Sequence, residues 1–576
     1  MTASDPPRPE HPRPQRRREP WRCLNGTWGF ERDPGKSGRA RGLPTADALA
    51  EAITVPFPPE SDLSGVGDRD FHNQVWYRRE VDVPADWLDG GLLLHFGAVD
   101  YEAEVWIDGE SVGTHRGGYA PFAVDVADVA TPGRTVVTVC ARDEVRTGRQ
   151  PAGKQSQRYA SSGAEYTRVT GIWQPVWLEP VPATRVAEFD LRPDLANGVV
   201  RGRVEVAGDA RDLDATVAAR LDGTLVGETT VAVAGGRAQF AVPLDEVRAW
   251  RPADPALYDL TIRLTRDGEP VDAVESYCGL RSVAVEDGAV LLNGEARFQR
   301  LVLDQGYYPD GLYTAPADDA LAGDVERGLA MGFDGARLHE KVFEPRFLYH
   351  ADRLGYLVWG EFGDWQLDRT DPATLGPVLQ EWLEVVARDR NHPALVGWTP
   401  FNETPRDRDA DLQRTVYRAT KRVDPTRPVV DASGYRHVET DLLDVHDYTQ
   451  DVETFRDRYA VLAEGRGLDD LPHDRGDDAY GPALSYVSEF GGIWWNPDDE
   501  GGWGYGDRPE SEAAFLDRYR GLTEALLENP AVALSCYTQL YDIQQEQNGL
   551  YTDDREPKFD PETIREITAQ DATVDR

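Results

Sequence analysis

The stretch LVGWTPFNE, residues 395–403, decides the fold. It is an apolar run of strand length that ends in an acid, Glu403, and a second run of the same design, SYVSE at 485–489, ends in Glu489 before FGG. Outward from these two, from residue 297 to the end, short apolar runs alternate with stretches of helical period, which argues for a parallel sheet with crossover helices. Eight runs read as strands: 297–303, 334–339, 357–361, 395–400, 428–432, 443–448, 484–488 and 533–538. The segments 318–331, 345–354, 375–390, 409–423 and 510–528 read as helices between them. Eight is the number a closed (β/α)8 barrel needs, and such barrels assemble their chemistry at the C-terminal ends of the strands. Glu403 then ends the fourth strand and Glu489 the seventh, so both point into one mouth.

A single strand-end glutamate is ordinarily a solvated acid. Two in one mouth can act as acid and nucleophile on a glycosidic bond. Hydrolysis with retention needs the carboxyls roughly 5–5.5 Å apart, and inversion needs roughly 6.5–9.5 Å. The placement on the fourth and seventh strands argues for the first.

The rest of the chain divides by pattern. Residues 1–20 are rich in Pro, Arg and Glu without an apolar run, and read as a disordered tail. Residues 21–182 alternate apolar and polar positions over short strands, the pattern of a β-sandwich, with Asp108 and Gly109 as a hairpin turn. Residues 183–283 repeat that alternation over about a hundred residues, which fits an immunoglobulin-like sandwich. Residues 284–576 hold the barrel, so 576 residues suit three domains after the tail, with nothing left for a large C-terminal domain.

The formal net charge is −40, with five lysines among 62 basic residues. Diffuse acidity of this size opposes nucleic acid and anionic membrane surfaces as partners. It resembles the composition of proteins from salt-adapted or high-GC organisms. There is no signal-peptide apolar region and no stretch of about 18 apolar residues, and the arginines at 16–18 lack the apolar segment a twin-arginine signal needs. The expectation is a cytoplasmic protein. Cys23, Cys140, Cys278 and Cys536 are scattered without CxxC spacing and read as buried free thiols rather than a disulfide framework or zinc site. No dense acidic cluster has metal-ligand spacing, and the two-carboxylate chemistry requires neither metal nor cofactor.

Asn402–Glu403 and SEFG at 488–491 resemble the acid/base and nucleophile signatures of glycoside hydrolase family 2, the β-galactosidase, β-glucuronidase and β-mannosidase family. LNGTWGF (24–30), WYRRE (76–80), VWIDGE (105–110), GGYAPF (117–122) and GIWQPVWLE (171–179) extend the resemblance over nearly the whole chain. It implies a jelly-roll, sugar-binding-like domain at 21–182, an oligosaccharide or glycoside as substrate, Glu489 as nucleophile and Glu403 as acid/base. Repulsion between the two carboxylates would keep Glu403 protonated near neutral pH. Asn402 would bind the hydroxyl beside the anomeric centre. Arg337 resembles the family arginine on the nucleophile, and Tyr448 the family tyrosine that contacts it.

Strand ends supply further substrate-binding candidates: Asp304 and Gln305 after the first strand, and His446 and Asp447 on the sixth, although alternation forbids 446, 447 and 448 all facing inward. Trp494 and Trp495 offer flat faces to a sugar ring. At three walls the chain departs from the family: LDQ (303–305), LHEK (338–341), which places His339 in the pocket, and YTQLYD (537–542), which puts Gln539 where the family usually has a tryptophan. The AsnXaaLys motif that clamps the sugar acid in β-glucuronidases is replaced by QEQNGLY (545–551). β-Galactoside is therefore the default expectation, with a furanoside, a β-mannoside or a β-glucuronide as alternatives. A carbohydrate-binding protein without turnover is the reading of another class, because fold does not fix function. The family often dimerises or tetramerises, which leaves a homo-oligomer open.

Overall fold

The computed structural model describes residues 6–575 apart from 287, 406–408, 467–472, 475–483 and 497–500. The first domain is a sandwich of two antiparallel sheets. Six strands lie in the order Glu51–Val55, Gly26–Arg32, Gln74–Val83, Gly133–Arg142, Glu102–Ile107, Glu110–Arg116. Four lie in the order Arg22–Cys23, Val176–Val181, Gly91–Phe96, Phe122–Asp125. Alternate residues such as Trp28, Phe30, Leu94, Phe96 and Val105 meet between the sheets. Asp108 (φ 48°) and Gly109 (φ 86°) turn the expected hairpin, both in the left-handed region that a tight two-residue turn uses. The second domain packs a three-stranded sheet (Arg185–Asp194, Val199–Ala207, Arg237–Pro243) on a four-stranded one (Thr224–Ala232, Leu213–Leu221, Tyr258–Arg266, Glu269–Cys278), which makes seven strands in two sheets.

The third domain is a curled parallel sheet of strands β1 (Gln299–Asp304), β2 (Gly335–Leu338), β3 (Leu357–Glu361), β4 (Leu395–Thr399), β5 (Leu443–Asp447), β6 (Leu484–Gly491) and β7 (Leu534–Thr538), in the order β4-β3-β2-β1-β7-β6-β5. Helices α1 (Asp318–Ala330), α2 (Pro345–Leu354), α3 (Leu375–Asp389), α4 (Ala410–Val423), α5 (Val452–Ala463), α6 (Glu512–Leu527) and α7 (Pro561–Thr568) surround it. Sequence periodicity finds five of these helices and misses α5 and α7.

The expected fifth strand, 428–432, does not form. Residues 428–433 touch the β4 side only through isolated bridges, Trp398 to Val429 and Asn402 to Ser433. Pro428 has no N–H to offer. On the other side the Val429 and Asp431 N–H groups donate to the Asp441 carboxylate (2.8 Å) and the Thr440 hydroxyl (3.4 Å) instead of a strand. The sheet is therefore open between this run and β5.

Residues 6–20 also depart from expectation: they are not a free tail but a strap across the domains. Arg8 is buried and pairs with Glu344 (2.7 Å), and Gln15 donates to the Asn391 carbonyl (3.1 Å). Arg18 pairs with Glu179 of the first domain (2.7 Å) and Asp272 of the second (3.0 Å). Composition suggested disorder because the segment is polar, but its charges find buried partners far along the chain. Of the four cysteines, all free, Cys23 is only half-buried. No described helix is long and apolar enough to cross a membrane. Replacing Arg18 with Ala should leave Glu179 and Asp272 buried without their shared cation and lower the unfolding free energy by about 3–5 kcal/mol. Chemical denaturation reads this, and a change below about 0.5 kcal/mol would mean the strap is not anchored there.

Candidate active site

Strand parity aims the site. On β2, Ala336 and Leu338 face the helices, so Arg337 and the following His339 face the interior, and both are buried. Arg337 uses its whole guanidinium there. Nε donates to Glu361 Oε2 at the end of β3 (2.5 Å), Nη1 to Glu489 Oε1 on β6 (2.8 Å) and the Ser488 carbonyl (3.1 Å), and Nη2 to Asn402 Oδ1 after β4 (2.7 Å). His339 Nδ1 lies 2.8 Å from Glu361 Oε1 and 3.1 Å from Arg337 Nη2. Asn402 Oδ1 is thus occupied, while its Nδ2 is a buried donor without a partner among the described residues.

Glu489 also accepts from the Tyr448 hydroxyl, whose ring stacks on Tyr505 with centroids 3.4 Å apart. Glu403 sits in a left-handed backbone conformation (φ 45°), uncommon for a residue with a Cβ and of the kind that gathers at functional sites. Its side chain is 21 % exposed against 6 % for that of Glu489. His446 stands between the two, with Nδ1 3.0 Å from Glu403 Oε1 and 3.4 Å from Glu489 Oε2. One oxygen of each glutamate and this nitrogen all lie within 4.8 Å of one another. The 3.0 Å approach is that of a hydrogen bond, so a proton satisfies the group and no metal is needed to explain it.

Burial alone would raise the Glu489 carboxyl, but the charges of His446 and Arg337 outweigh it and hold the group below its ordinary value. Burial acts upward on Glu403 as well, yet its hydrogen bond to His446 and that residue's charge bring it down to about 2. His446 is held above the ordinary histidine value: burial would lower it, and Glu489 and Glu403 together raise it. The sequence-based expectation that repulsion from Glu489 keeps Glu403 protonated therefore does not describe this arrangement, because an imidazole lies between the carboxyls.

A loop of the first domain closes one side of the mouth. The Gly153 N–H donates to the Gly363 carbonyl (2.9 Å), and Gly153 (φ 54°) runs so close to the barrel that a Cβ would lie 2.1 Å from the Glu340 carbonyl oxygen. The next residue, Lys154, is buried with Nζ 3.4 Å from the Trp365 ring centroid and no carboxylate within ion-pair distance among the described residues. Further along, Tyr166 closes a ring of side chains. Its hydroxyl donates to Glu546 Oε2 (2.5 Å), Asn548 Nδ2 to Glu546 Oε1 (3.0 Å), Gln539 Nε2 to Asn548 Oδ1 (2.9 Å), and Gln305 Nε2 to both Gln539 Oε1 (2.7 Å) and the Tyr166 hydroxyl (3.0 Å).

Glu403, Glu489, Asn402, Arg337, His339, His446 and Tyr448 thus come together, and Gln305 and Gln539 form a wall. Asp304 and Asp447 do not join them, because each has the outward parity on its strand. Asp304 accepts from the Gly306 N–H and feels Asp324 of α1, while Asp447 pairs with Arg458 of α5 (2.8 Å). Trp494 is half-buried under Arg508 and makes no hydrogen bond or ring contact with either glutamate among the described residues, and Trp495 packs into the core against Phe515 and Phe559. Sequence reading passed over Glu361, although it too ends an apolar strand run, and passed over Lys154, Tyr166 and Tyr435, whose positions carry no local signal.

Two carboxylates, one gripped by Arg and Tyr and one in reach of solvent, at the mouth of a barrel roofed by a jelly roll define an O-glycosyl hydrolase. Family models agree along the chain: the sugar binding domain of glycosyl hydrolases family 2 matches residues 65–178, the family 2 model matches 184–281, and the family 2 TIM barrel domain matches 348–464. The chain belongs to glycosyl hydrolases family 2. Curated relatives include a beta-glucuronidase of Paenibacillus borealis, 25% identical over 438 residues that cover 70% of this chain and 72% of that one. A second, from Felis catus, is 27% identical over 454 residues, covering 70% and 67%. The fold matches a Ruminococcus gnavus b-glucuronidase in complex with D-glucuronic acid, with TM-score 0.81, 19% identity, and coverage of 96% of this chain and 98% of that one.

Arg337→Met should lower the unfolding free energy by about 3–5 kcal/mol, since Glu361 would remain buried without its cation, and Arg337→Met with Glu361→Leu should recover part of that loss. Equal losses in the single and double variants would show that the pair is not what the guanidinium supports.

Proposed function

We propose that the chain is a retaining, exo-acting hydrolase that works by double displacement, and that the terminal sugar it removes is a β-glucuronide. The observation that carries the mechanism is the approach of Glu403 and Glu489, an oxygen of each within 4.8 Å, which suits the shorter carboxyl separation of retaining enzymes. Glu489, kept anionic and aimed by Arg337 and Tyr448, attacks the anomeric carbon and forms a glycosyl ester as the bond to the leaving oxygen breaks. A proton passes from Glu403 to that oxygen. Water then attacks the ester, gives its proton to Glu403 and frees Glu489. The orphan donor of Asn402 is suited to the hydroxyl beside the reacting carbon, where a hydrogen bond strengthens in the transition state. The docked first-domain loop favours a pocket over an open groove, hence a terminal sugar.

For the sugar, the named relatives move the reading from β-galactoside to β-glucuronide. The late-barrel segment still offers no lysine, but Lys154, from the first-domain loop, brings to the mouth an ammonium without an acidic partner among the described residues. Its charge acts on His339, Glu403 and Glu546, so it stands among the groups that would surround a sugar. A second reading, a neutral sugar, is favoured by Glu546, a carboxylate in the segment where a glucuronidase would clamp an acid.

Hydrolysis of para-nitrophenyl β-glucuronide, β-galactoside, β-mannoside and α-arabinofuranoside decides between them. Glu403→Ala and Glu489→Ala should each lose at least a thousandfold in kcat, with azide rescuing Glu489→Ala as a glycosyl azide of inverted configuration. Lys154→Met should lose about a hundredfold in kcat/KM on the glucuronide and little on neutral sugars, because it removes a charge-assisted bond. Equal effects of Lys154→Met on all sugars, or a neutral sugar as the best substrate, would sink the glucuronide assignment.

A further inference from the structure

We propose that the proton delivered to the leaving oxygen is held jointly by Glu403 and His446, in the bond between Glu403 Oε1 and His446 Nδ1, with His446 as a positioning residue that keeps the acid loaded beside an ionised nucleophile. This rests on the retaining-hydrolase reading above.

The tautomer follows from the partners behind the ring. Ser433 Oγ lies 2.9 Å from Asp444 Oδ2 and 3.0 Å from His446 Nε2. Asp444 is an ionised acceptor: it takes the Gly434 N–H as well (3.1 Å) and pairs with His437 Nε2 (3.0 Å), and burial, which would raise it, is outweighed by His437, so its carboxyl stays low. The one hydroxyl hydrogen of Ser433 therefore goes to Asp444, and the Ser433 lone pair accepts an N–H from His446 Nε2. The imidazole is seated on Gly434, where a Cβ would come 2.8 Å from the ring, so it packs against bare backbone.

With Nε2 fixed as a donor, His446 Nδ1 and Glu403 Oε1 have a single hydrogen between them at 3.0 Å. It can be written as imidazolium and carboxylate or as imidazole and carboxylic acid, and the proton count is the same. The hydrogen bond and charge of His446 hold Glu403 low, so the carboxyl carries no proton of its own at neutral pH and the acid's proton resides in the shared bond. Shared with His446, the proton is present. When the glycosidic oxygen arrives, that oxygen takes the proton from Oε1, the Nδ1 proton crosses to Glu403 if it was not already there, and His446 is left neutral while Glu489 becomes an ester. In the second step the proton of the attacking water returns to the same bond and Glu489 leaves as an anion. The charged and titratable groups that face this bond are Arg337 and His339 from β2, Tyr435 from the run after β4, Asp444 from β5, Glu489 from β6 and Lys154 from the first-domain loop. Glu489 and Glu403 raise the histidine and Arg337 opposes them. The shared proton is thus lost on the alkaline side, above the ordinary histidine value, whereas without His446 it would be held by a carboxyl alone, whose ordinary value lies lower.

The test compares wild type, His446→Asn and Ser433→Ala on phenyl and 2,4-dinitrophenyl β-glucuronides. The phenyl leaving group needs a proton and the dinitrophenyl group does not. His446→Asn should lose at least fiftyfold in kcat/KM on the phenyl substrate, less than about threefold on the dinitrophenyl one, and its alkaline limb should fall by one pH unit or more. Ser433→Ala should move the same way by less. Equal losses on both substrates with an unmoved limb would mean a merely structural histidine. Activity abolished by EDTA and restored by a divalent cation in wild type but not in His446→Asn would assign the cluster to a cation and equally overturn the proposal. A readout independent of turnover is the titration of the His446 resonance in protein labelled with ¹⁵N-histidine, identified by its absence from His446→Asn. Its midpoint should drop by a unit or more in Glu403→Gln, and no drop refutes the shared proton even if neither glucuronide is cleaved. Failure of azide to trap the sugar in Glu489→Ala would instead count against the parent reading.

Discussion

A guanidinium sealed from water must find an acceptor for its hydrogens inside the protein, and the catalytic end of this barrel is arranged around that demand. Arg337 leaves β2 and meets Glu361 from β3, Asn402 from beyond β4, and Glu489 with the Ser488 carbonyl from β6. Three other chain segments are thereby fixed to β2 through one planar, rigid group. The cation also helps hold Glu489 below its ordinary value, whereas Glu403 is hydrogen-bonded to His446 instead.

Much of this was legible from residues alone, for reasons that can be named. The alternation of apolar strand and amphipathic helix is forced by burial on both faces of a parallel sheet, so the barrel strands and five helices stand out. Glu403 and Glu489 stood out because an acid ending an apolar run is conspicuous. The fifth run resisted reading because its backbone is satisfied by the side chains of Asp441 and Thr440, a choice that composition does not announce. Asp304 and Asp447 looked like Gln305 and Tyr448, their neighbours, and only the pleat tells inward from outward.

What sequence reading missed altogether depends on distance along the chain. Lys154 and Tyr166 belong to a β-sandwich loop, and their relation to Trp365 and Glu546 exists only after two domains have docked. The hydrogen-bonded ring through Tyr166, Glu546, Asn548, Gln539 and Gln305 makes the wall a joint product of both domains, with its members braced against one another rather than against solvent. His446 was noticed as a sugar ligand. Its position between the two acids is set by Ser433 and Asp444 behind it, and no spacing rule connects those residues.

The strap of residues 6–20 brings time into the fold. Arg8 leaves the ribosome 336 residues before its carboxylate partner Glu344. At roughly 5–20 residues per second, the arginine, already beside Glu10, waits on the order of 15–70 s for Glu344. The strap can therefore close over the three domains only after the barrel segments that carry Glu344 and Asn391 have emerged.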